Sequence, residues 1–287
     1  MRGEVTNTRI TLFLLLSIWL GCQPHQRSVT IATTTSLDGS GLLQVLRTEF
    51  ERQTGITLQA IVIGSGQALR LASKGEVDLT ITHDPDAERV FVDRAKPELY
   101  RQFMWNDFVI VGPSEDPAGL RNVKSAVEAF RRIHQTASKF ASRNDQSGTH
   151  MKELFFWRAA GISPTTNPNY LRMGQPMAYL LRSADKLQAY TLTDRATYDR
   201  LAASLHLRIL MSGDPRMRNT YAVMLMRRPA SDEHANARIF AQWLLSPAAR
   251  HLVESFRIAG RQEFHWIDIG ANADLSLLGS EPPEPKQ

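Results

Sequence analysis

Short runs of β-branched and aliphatic residues alternate along this chain with segments whose apolar residues recur every three or four positions. Val29–Ala32 reads as a buried strand. Leu42, Leu43, Val45, Leu46 and Phe50 follow at helical spacing, and Gly55 is a natural helix stop. Ile56–Ile63 reads as a second strand, Gln67–Lys74 as a short helix ending at Gly75, and Val77–Thr82 as a third strand. Strand, loop and helix repeated in this order predict an α/β fold with a mostly parallel sheet flanked by helices.

The same rhythm continues with a helix around Glu88–Ala95 and a strand within Phe103–Gly112, broken by Pro113 and Pro117. Val123–Gln135 is amphipathic, Lys139–Ser142 is extended, and the polar stretch Arg143–Thr149 opens a helix through Trp157. Phe155, Phe156 and Trp157 are read as core. Ser163–Asn169 is a proline-bearing loop. Helices follow at Met177–Asp185, Arg195–Ser204 (capped by Asp194), Ala235–Leu245 and Pro247–Phe256, with strands at Gln188–Thr193, Leu207–Met211 and Tyr221–Met226. The proline-rich end from Leu275 reads as a tail.

Composition narrows the class. With 43% hydrophobic and 22% charged residues in 287, the chain has globular character and length enough for two lobes. The net charge of +5 is spread among interleaved acids and bases, so no arm for nucleic acid is expected, and a mild positive excess suits an anionic ligand. Arg2 and Arg9 precede the apolar run Ile10–Leu20, which has the length of a signal-peptide core and is too short for a membrane span. Residues 1–21 are therefore expected to be removed, leaving a net charge of +4. Cys22, the only cysteine, excludes an internal disulfide and follows Gly21 as in a bacterial lipoprotein cleavage box. The expectation is an exported protein, lipid-anchored at Cys22 by a tether of residues 22–27.

Three segments share one physical description: Thr33–Gly41, Gly64–Gly66 and Ser142–Thr149 each follow a strand, are rich in Ser, Thr and Gly, and open a helix. A helix N-terminus offers unpaired amide protons and about half a positive charge. Hydroxyls add donors, and small residues admit a ligand to the backbone. Together they describe an anion site at the carboxyl ends of strands. Any one loop is equally a helix cap, but four consecutive hydroxyl residues at Thr33–Ser36 exceed what one cap needs. Arg143 supplies a full charge beside Ser147, Gly148 and Thr149. A fully deprotonated oxyanion needs donors only, whereas a protonated phosphate needs one acceptor, for which Asp38 and Asp145 are the nearby candidates.

Signals for catalysis are poor. The eight histidines lack metal-binding spacing, one cysteine cannot make a CxxC site, and no G-x-S-x-G elbow or Walker loop occurs. His83-Asp84-Pro85-Asp86 at a strand end reads as a turn with an aspartate before proline.

At these loops the sequence resembles the tungstate-binding proteins of ABC transporters, a branch of the type II periplasmic binding proteins. The resemblance spans Val29 to Phe264. It is carried in order by Ala32-Thr33-Thr34-Thr35-Ser36, Gly64-Ser65-Gly66-Gln67-Ala68-Leu69, Asn106-Asp107-Phe108-Val109-Ile110-Val111-Gly112-Pro113 and Asp116-Pro117-Ala118-Gly119. Ser142-Arg143-Asn144-Asp145-Gln146-Ser147-Gly148-Thr149-His150 and Ala189-Tyr190-Thr191-Leu192-Thr193-Asp194-Arg195 complete it. The resemblance implies a two-lobed α/β fold joined by two crossing strands, here Phe103–Gly112 and Tyr221–Met226. One lobe would be 28–106 plus 221–270, the other 107–220, with a tail at 271–287.

The resemblance also implies that Thr34, Thr35, Ser36 and Ser65 donate to the oxyanion from the first lobe, and Arg143, Ser147, Gly148 and Thr149 from the second. Tyr190, Thr193 and Asp194 would shape the second lobe. The ligand expected is tungstate, with molybdate, sulfate or phosphate as alternatives, and no further cofactor or metal cation. The partner expected is an ABC permease with its ATPase, and the protein itself is expected to be a monomer without enzymatic activity. An extracytoplasmic anion sensor on the same scaffold is the alternative from another class. Three departures from the family pattern stand out: Asn144, Pro176 and Ala196 each replace a glycine usual in the family.

Overall fold

The computed structural model describes residues 27–268; the expected signal peptide, Cys22, all of the tether but Arg27, and the tail at 271–287 lie outside the described residues. In chain order the elements are β1 (Ser28–Thr34), α1 (Thr35–Ser40), α2 (Leu42–Thr54), β2 (Thr57–Ile63), α3 (Ser65–Lys74), β3 (Leu79–Thr82), α4 (Pro85–Ala95) and β4 (Leu99–Gly112). There follow α5 (Ala126–Gln135), β5 (Phe140–Ser142), α6 (Gly148–Ala159), β6 (Tyr170–Arg172), α7 (Met177–Leu187), β7 (Thr191–Asp194), α8 (Arg195–Leu201) and β8 (Arg208–Met211). The last are β9 (Arg218–Leu225), α9 (Asp232–Leu244), α10 (Pro247–Ser255), β10 (Arg257–Ile258), β11 (Arg261–Gln262) and β12 (His265–Trp266).

The first three strands form a parallel trio. β1 pairs with β2 from Ser28↔Thr57 to Thr34↔Ile63, and with β3 on its other side from Ile31↔Leu79 to Thr33↔Ile81. All three therefore deliver the chain to the same end of the sheet. Helices cover the trio because the predicted periodicity holds: Leu42, Leu43, Leu46 and Phe50 of α2 are fully buried. Phe50 meets the Phe240 ring edge-on at 4.8 Å. Burying a side chain of that size contributes about 2 kcal/mol or more. Val45, read with this set, instead faces partly into solvent. Gly55 ends α2 at φ +67°, the left-handed cap its position predicts.

β4 is long enough to serve two groups of strands. Its first part, Leu99–Asp107, runs antiparallel to β9, and its last part, Phe108–Gly112, pairs with β7 and β8. β9 in turn adjoins β3. These two antiparallel strands carry the chain between two separately cored halves, and they extend further than the pattern suggested, to Leu99 and Arg218. The first core gathers β1, β3, α2 and α9 side chains. The second packs Phe130, Phe140, Phe156 and Trp157, with Phe130 and Trp157 edge-on at 4.6 Å. Phe155 departs from its expected place in the core and is exposed: successive helical residues are turned by about 100°, so three in a row cannot share one face.

Candidate functional site

Because Thr34 and Ile63 are register partners, the N-termini of α1 and α3 stand side by side at the end of the parallel trio. The expected loop at Thr33–Gly41 is mostly regular structure. Thr33 and Thr34 finish β1, and Thr35–Ser40 form α1. The Thr33 hydroxyl is used up in donating to the Ile81 carbonyl, 3.2 Å away. Thr34 caps α1 by accepting the Leu37 amide proton, while Thr35 and Ser36 open the helix, with Ser36 buried. Gly64 is the N-cap of α3 and brings no side-chain bond, leaving the first amides of that helix without an intrahelical acceptor. Ser65 is wholly buried and accepts the His83 amide proton at 3.4 Å.

In the second half the polar segment after β5 is tied down by its own side chains. Arg143 is 3% exposed, and its Nε and Nη2 both donate to Asp145 Oδ2, the former at 2.9 Å. Asp145 Oδ1 accepts the Ser147 amide proton (3.1 Å), and Ser142 Oγ accepts that of Asn144 (3.2 Å). His150 Nδ1 accepts the Gln146 amide proton at 3.1 Å. Ser147 caps α6 through the His150 amide, and the buried Thr149 Oγ1 has no hydrogen-bond partner. Below, the Tyr170 hydroxyl lies 2.9 Å from Ser142 Oγ and 2.7 Å from Glu153 Oε1. Burial pushes the Glu153 carboxyl up to about 7.

The two halves meet at these loops. A Cβ on Gly64 would stand 3.6 Å from Ser147 Cα, and one on Gly66 3.9 Å from the Gln146 carbonyl. Gly148 is pressed against His83, where an added Cβ would lie 2.6 Å from the ring and 3.0 Å from its carbonyl. α1 sits beside the start of α8, with Gly39 near Thr197. Burial, reinforced by the Arg143 charge, pushes the His83 imidazole down to about 4, so this ring is neutral at pH 7. Ser65, Ser147 and Gly148 are thus brought into one locus, with Thr34–Ser36 alongside and Arg143 close enough to act on His83.

The hydroxyls are the chemical point. Thr34, Ser65 and Ser147 each have an oxygen lone pair fixed by a backbone amide, and a hydroxyl has one proton to give as well. Capping and anion donation are therefore compatible in the same residue. The nearby carboxylates are bonded to neighbours or turned to solvent. Both oxygens of Asp145 are engaged by Arg143 and Ser147, both of Asp194 by Thr197, and Asp38 is exposed.

A family profile described as the PBP superfamily domain matches residues 22–248. The tungstate-binding protein TupA of Peptoclostridium acidaminophilum is 38% identical over 265 residues, covering 86% of this chain and 92% of its own length. This chain belongs to the tungstate-binding family of the PBP superfamily. Two solved structures agree. The tungstate-binding protein TupA from Desulfovibrio alaskensis G20 superposes with a TM-score of 0.73 at 35% identity, over 84% of this chain and 99% of that one. The tungstate ABC transporter structure from Geobacter sulfurreducens gives 0.70 at 35% identity, over 80% and 98%.

The three departures from the family pattern now have places. Asn144 adopts φ +45°, a left-handed conformation that asparagine tolerates better than most residues. Ala196 is in helical conformation inside α8, where an L residue is at ease. Pro176 is the N-cap of α7, so that helix begins on a residue without an amide proton. Tyr190 shapes the second half as expected: its hydroxyl accepts the Ala118 amide proton and donates to Asp116 Oδ1, both at 2.9 Å, locking the Asp116–Gly119 turn. Thr193 donates to the Asp194 carbonyl, and Asp194 caps α8.

Two contributors named in the sequence, one in a turn and one at the end of a motif, were not assigned to the site. His150 braces the Arg143 loop through Gln146, and His83 forms the joint with Gly148. His83 had a usable signal, since the third parallel strand must end beside the other two. Its neighbour Asp84 caps α4 by accepting the Ala87 amide proton, with Pro85 opening the helix, which is the turn its sequence predicts. Among the described residues, no group of three or more His, Cys, Asp and Glu is placed to hold a metal ion. A wider cleft of about 1060 Å³ adjoins the locus but touches it only at His83 and Gly148.

Proposed function

We propose that this protein captures one tetrahedral, fully deprotonated oxyanion between its two lobes and delivers it to an ABC importer. Thr34, Thr35, Ser36 and Ser65 donate from the first lobe, and Arg143, Ser147, Gly148 and Thr149 from the second. The observation that carries the reading is a donor set whose neighbouring carboxylates are all either engaged or exposed to solvent. A dianion gains a charge-assisted bond from each donor, strengthened as the halves exclude water. Hydrogen phosphate carries less charge for the same donors, and its proton would have only hydroxyl oxygens to accept it in place of a free carboxylate.

Tungstate and molybdate share charge and shape, and similarity to tungstate-binding proteins supports the choice of tungstate. Capture involves no bond making, so the protein acts as a carrier and not as an enzyme. The chain is exported and held at the membrane by a lipid on Cys22, which mass spectrometry of the membrane fraction tests. Calorimetric titration of the mature protein with tungstate, molybdate, sulfate and phosphate at neutral pH tests the ligand. One-to-one binding is expected, with tungstate and molybdate tightest. Absence of heat with tungstate, or phosphate binding more tightly, would overturn the assignment.

A further inference from the structure

The cleft beside the donor locus is built for something larger than an oxyanion. It is lined by α3 and α4 of the first half, by α6 of the second, and by Met226–Arg228 at the end of β9. Its lining includes large apolar side chains open to solvent: Val90 is 48% exposed, and Met151 and Phe155 are each 39% exposed. These three are among the few large apolar side chains that the described residues leave exposed. Around them stand Arg70, Arg94, Arg158 and Arg227. Among the described residues none of these four has a carboxylate partner, whereas Arg228 is paired with Asp78 at 3.5 Å. The two acids of the cleft are already used, Asp84 as a buried cap and Asp86 beside Arg89 at 3.4 Å.

A cleft that combines exposed apolar side chains with guanidiniums lacking carboxylate partners matches an occupant that is itself both apolar and acidic. A concave surface shared by two halves suits an inserted segment better than a flat bilayer. We propose that this cleft docks an acidic, apolar segment of the membrane permease that receives the oxyanion. The proposal rests on the transport reading above. Because α3 and α4 come from one half and α6 from the other, the docking face is complete only while Gly148 rests on His83. The permease would thereby meet a loaded, closed carrier differently from an open one.

The test compares wild type with the double variant Arg94→Glu/Arg158→Glu and with Phe155→Ser, measuring binding to the nanodisc-reconstituted permease complex of the same transporter by biolayer interferometry. All three residues are solvent-facing and lie outside the donor set. Each variant is expected to weaken permease binding at least tenfold in the presence of tungstate, with tungstate affinity by calorimetry unchanged. Unchanged permease affinity in both variants overturns the proposal. So does loss of binding to phosphatidylglycerol vesicles, or loss of a dimer on size-exclusion chromatography, with permease affinity intact; the occupant would then be a membrane or a second copy. A wild-type protein that engages the permease through this cleft but takes up no oxyanion would sink the ligand assignment while supporting the docking face.

Discussion

Thr34 and Ser65, with the amides that follow them, are placed by three parallel strands ending together, whereas Arg143 and Ser147–Thr149 depend on a loop held by its own side chains. On the first side the geometry is set by backbone pairing, β1 with β2 and β3, and by two helix starts. Its donors are neutral and the helix dipoles supply only partial charge. On the second side a full guanidinium is buried, and Asp145, Ser142 and His150 each hold a backbone amide or a donor in place. The first side supplies a rigid floor that tolerates changes of side chain. The second supplies the charge and is the side a substitution can spoil.

The widest gap between the two should appear on removing charge. Arg143→Ala is expected to lower tungstate affinity by roughly three orders of magnitude, because truncating one member of a buried charged set costs about 2–5 kcal/mol. It also strips the Asp145 carboxylate of its guanidinium partner. Ser36→Ala on the first side is expected to cost tenfold or less, since a neutral hydrogen bond is worth about 1 kcal/mol. Calorimetry on both variants checks the contrast, and equal losses would erase it.

The joint between the sides is next. The His83 imidazole falls to about 4 in the folded protein from an ordinary 6.5. The folded state thus binds fewer protons than the unfolded one in this window, so the contribution of the neutral ring is complete above pH 6.5 and is lost as pH falls toward 4. The full change is about 3 kcal/mol. Glu88 and Glu153, pushed up to about 7 by burial, act in the opposite direction over the same range. The clean quantity is therefore the stability difference between wild type and His83→Gln, from urea midpoints between pH 7.5 and 4. That difference is expected to shift against wild type on acidification; a constant difference would mean that the ring does not titrate as a buried group. Gly148→Ala, pressing a methyl group into His83, should cost about 2 kcal/mol of closure, or some thirtyfold in affinity, as overpacking does.

The same contrast explains what could be read from the sequence. The first side was legible because its cause is periodic: β-branched runs ending in Ser, Thr and Gly before helical spacing predict strand ends that open helices, and Thr34–Ser36 and Ser65 are found there. The second side was legible only as motif and composition. Gln146 adopts φ +58°, for which no local pattern gives warning, and Asn144 at +45° is signalled only by the glycine usual there in the family. The ties to Tyr170 and Glu153 reach across the fold, and the sequence offers no reading of β6 because three residues carry no period. Thr33 was grouped with its hydroxyl neighbours, and only the register with Ile81 shows where its proton goes. Phe155 failed for a related reason, since a run of aromatics shows hydrophobicity and not direction.

The smallest expected effect bears on whether the second side depends on side-chain identity at its turn. Asn144 occupies a position where the family usually has glycine, at φ +45°. A left-handed conformation costs an L residue about 1 kcal/mol, and asparagine is among those that bear it best. Asn144→Ala should therefore lose about 1 kcal/mol and lower tungstate affinity several-fold, because the strain falls on the residue between Arg143 and Asp145. Asn144→Gly should relieve the strain, with the greater freedom of the unfolded chain offsetting part of the gain. Thermal unfolding with and without tungstate separates the two contributions. If alanine were as good as asparagine in both measurements, the loop would owe its shape to the ties at Ser142, Asp145 and His150 alone, and the glycine usual in relatives would have no conformational reason here.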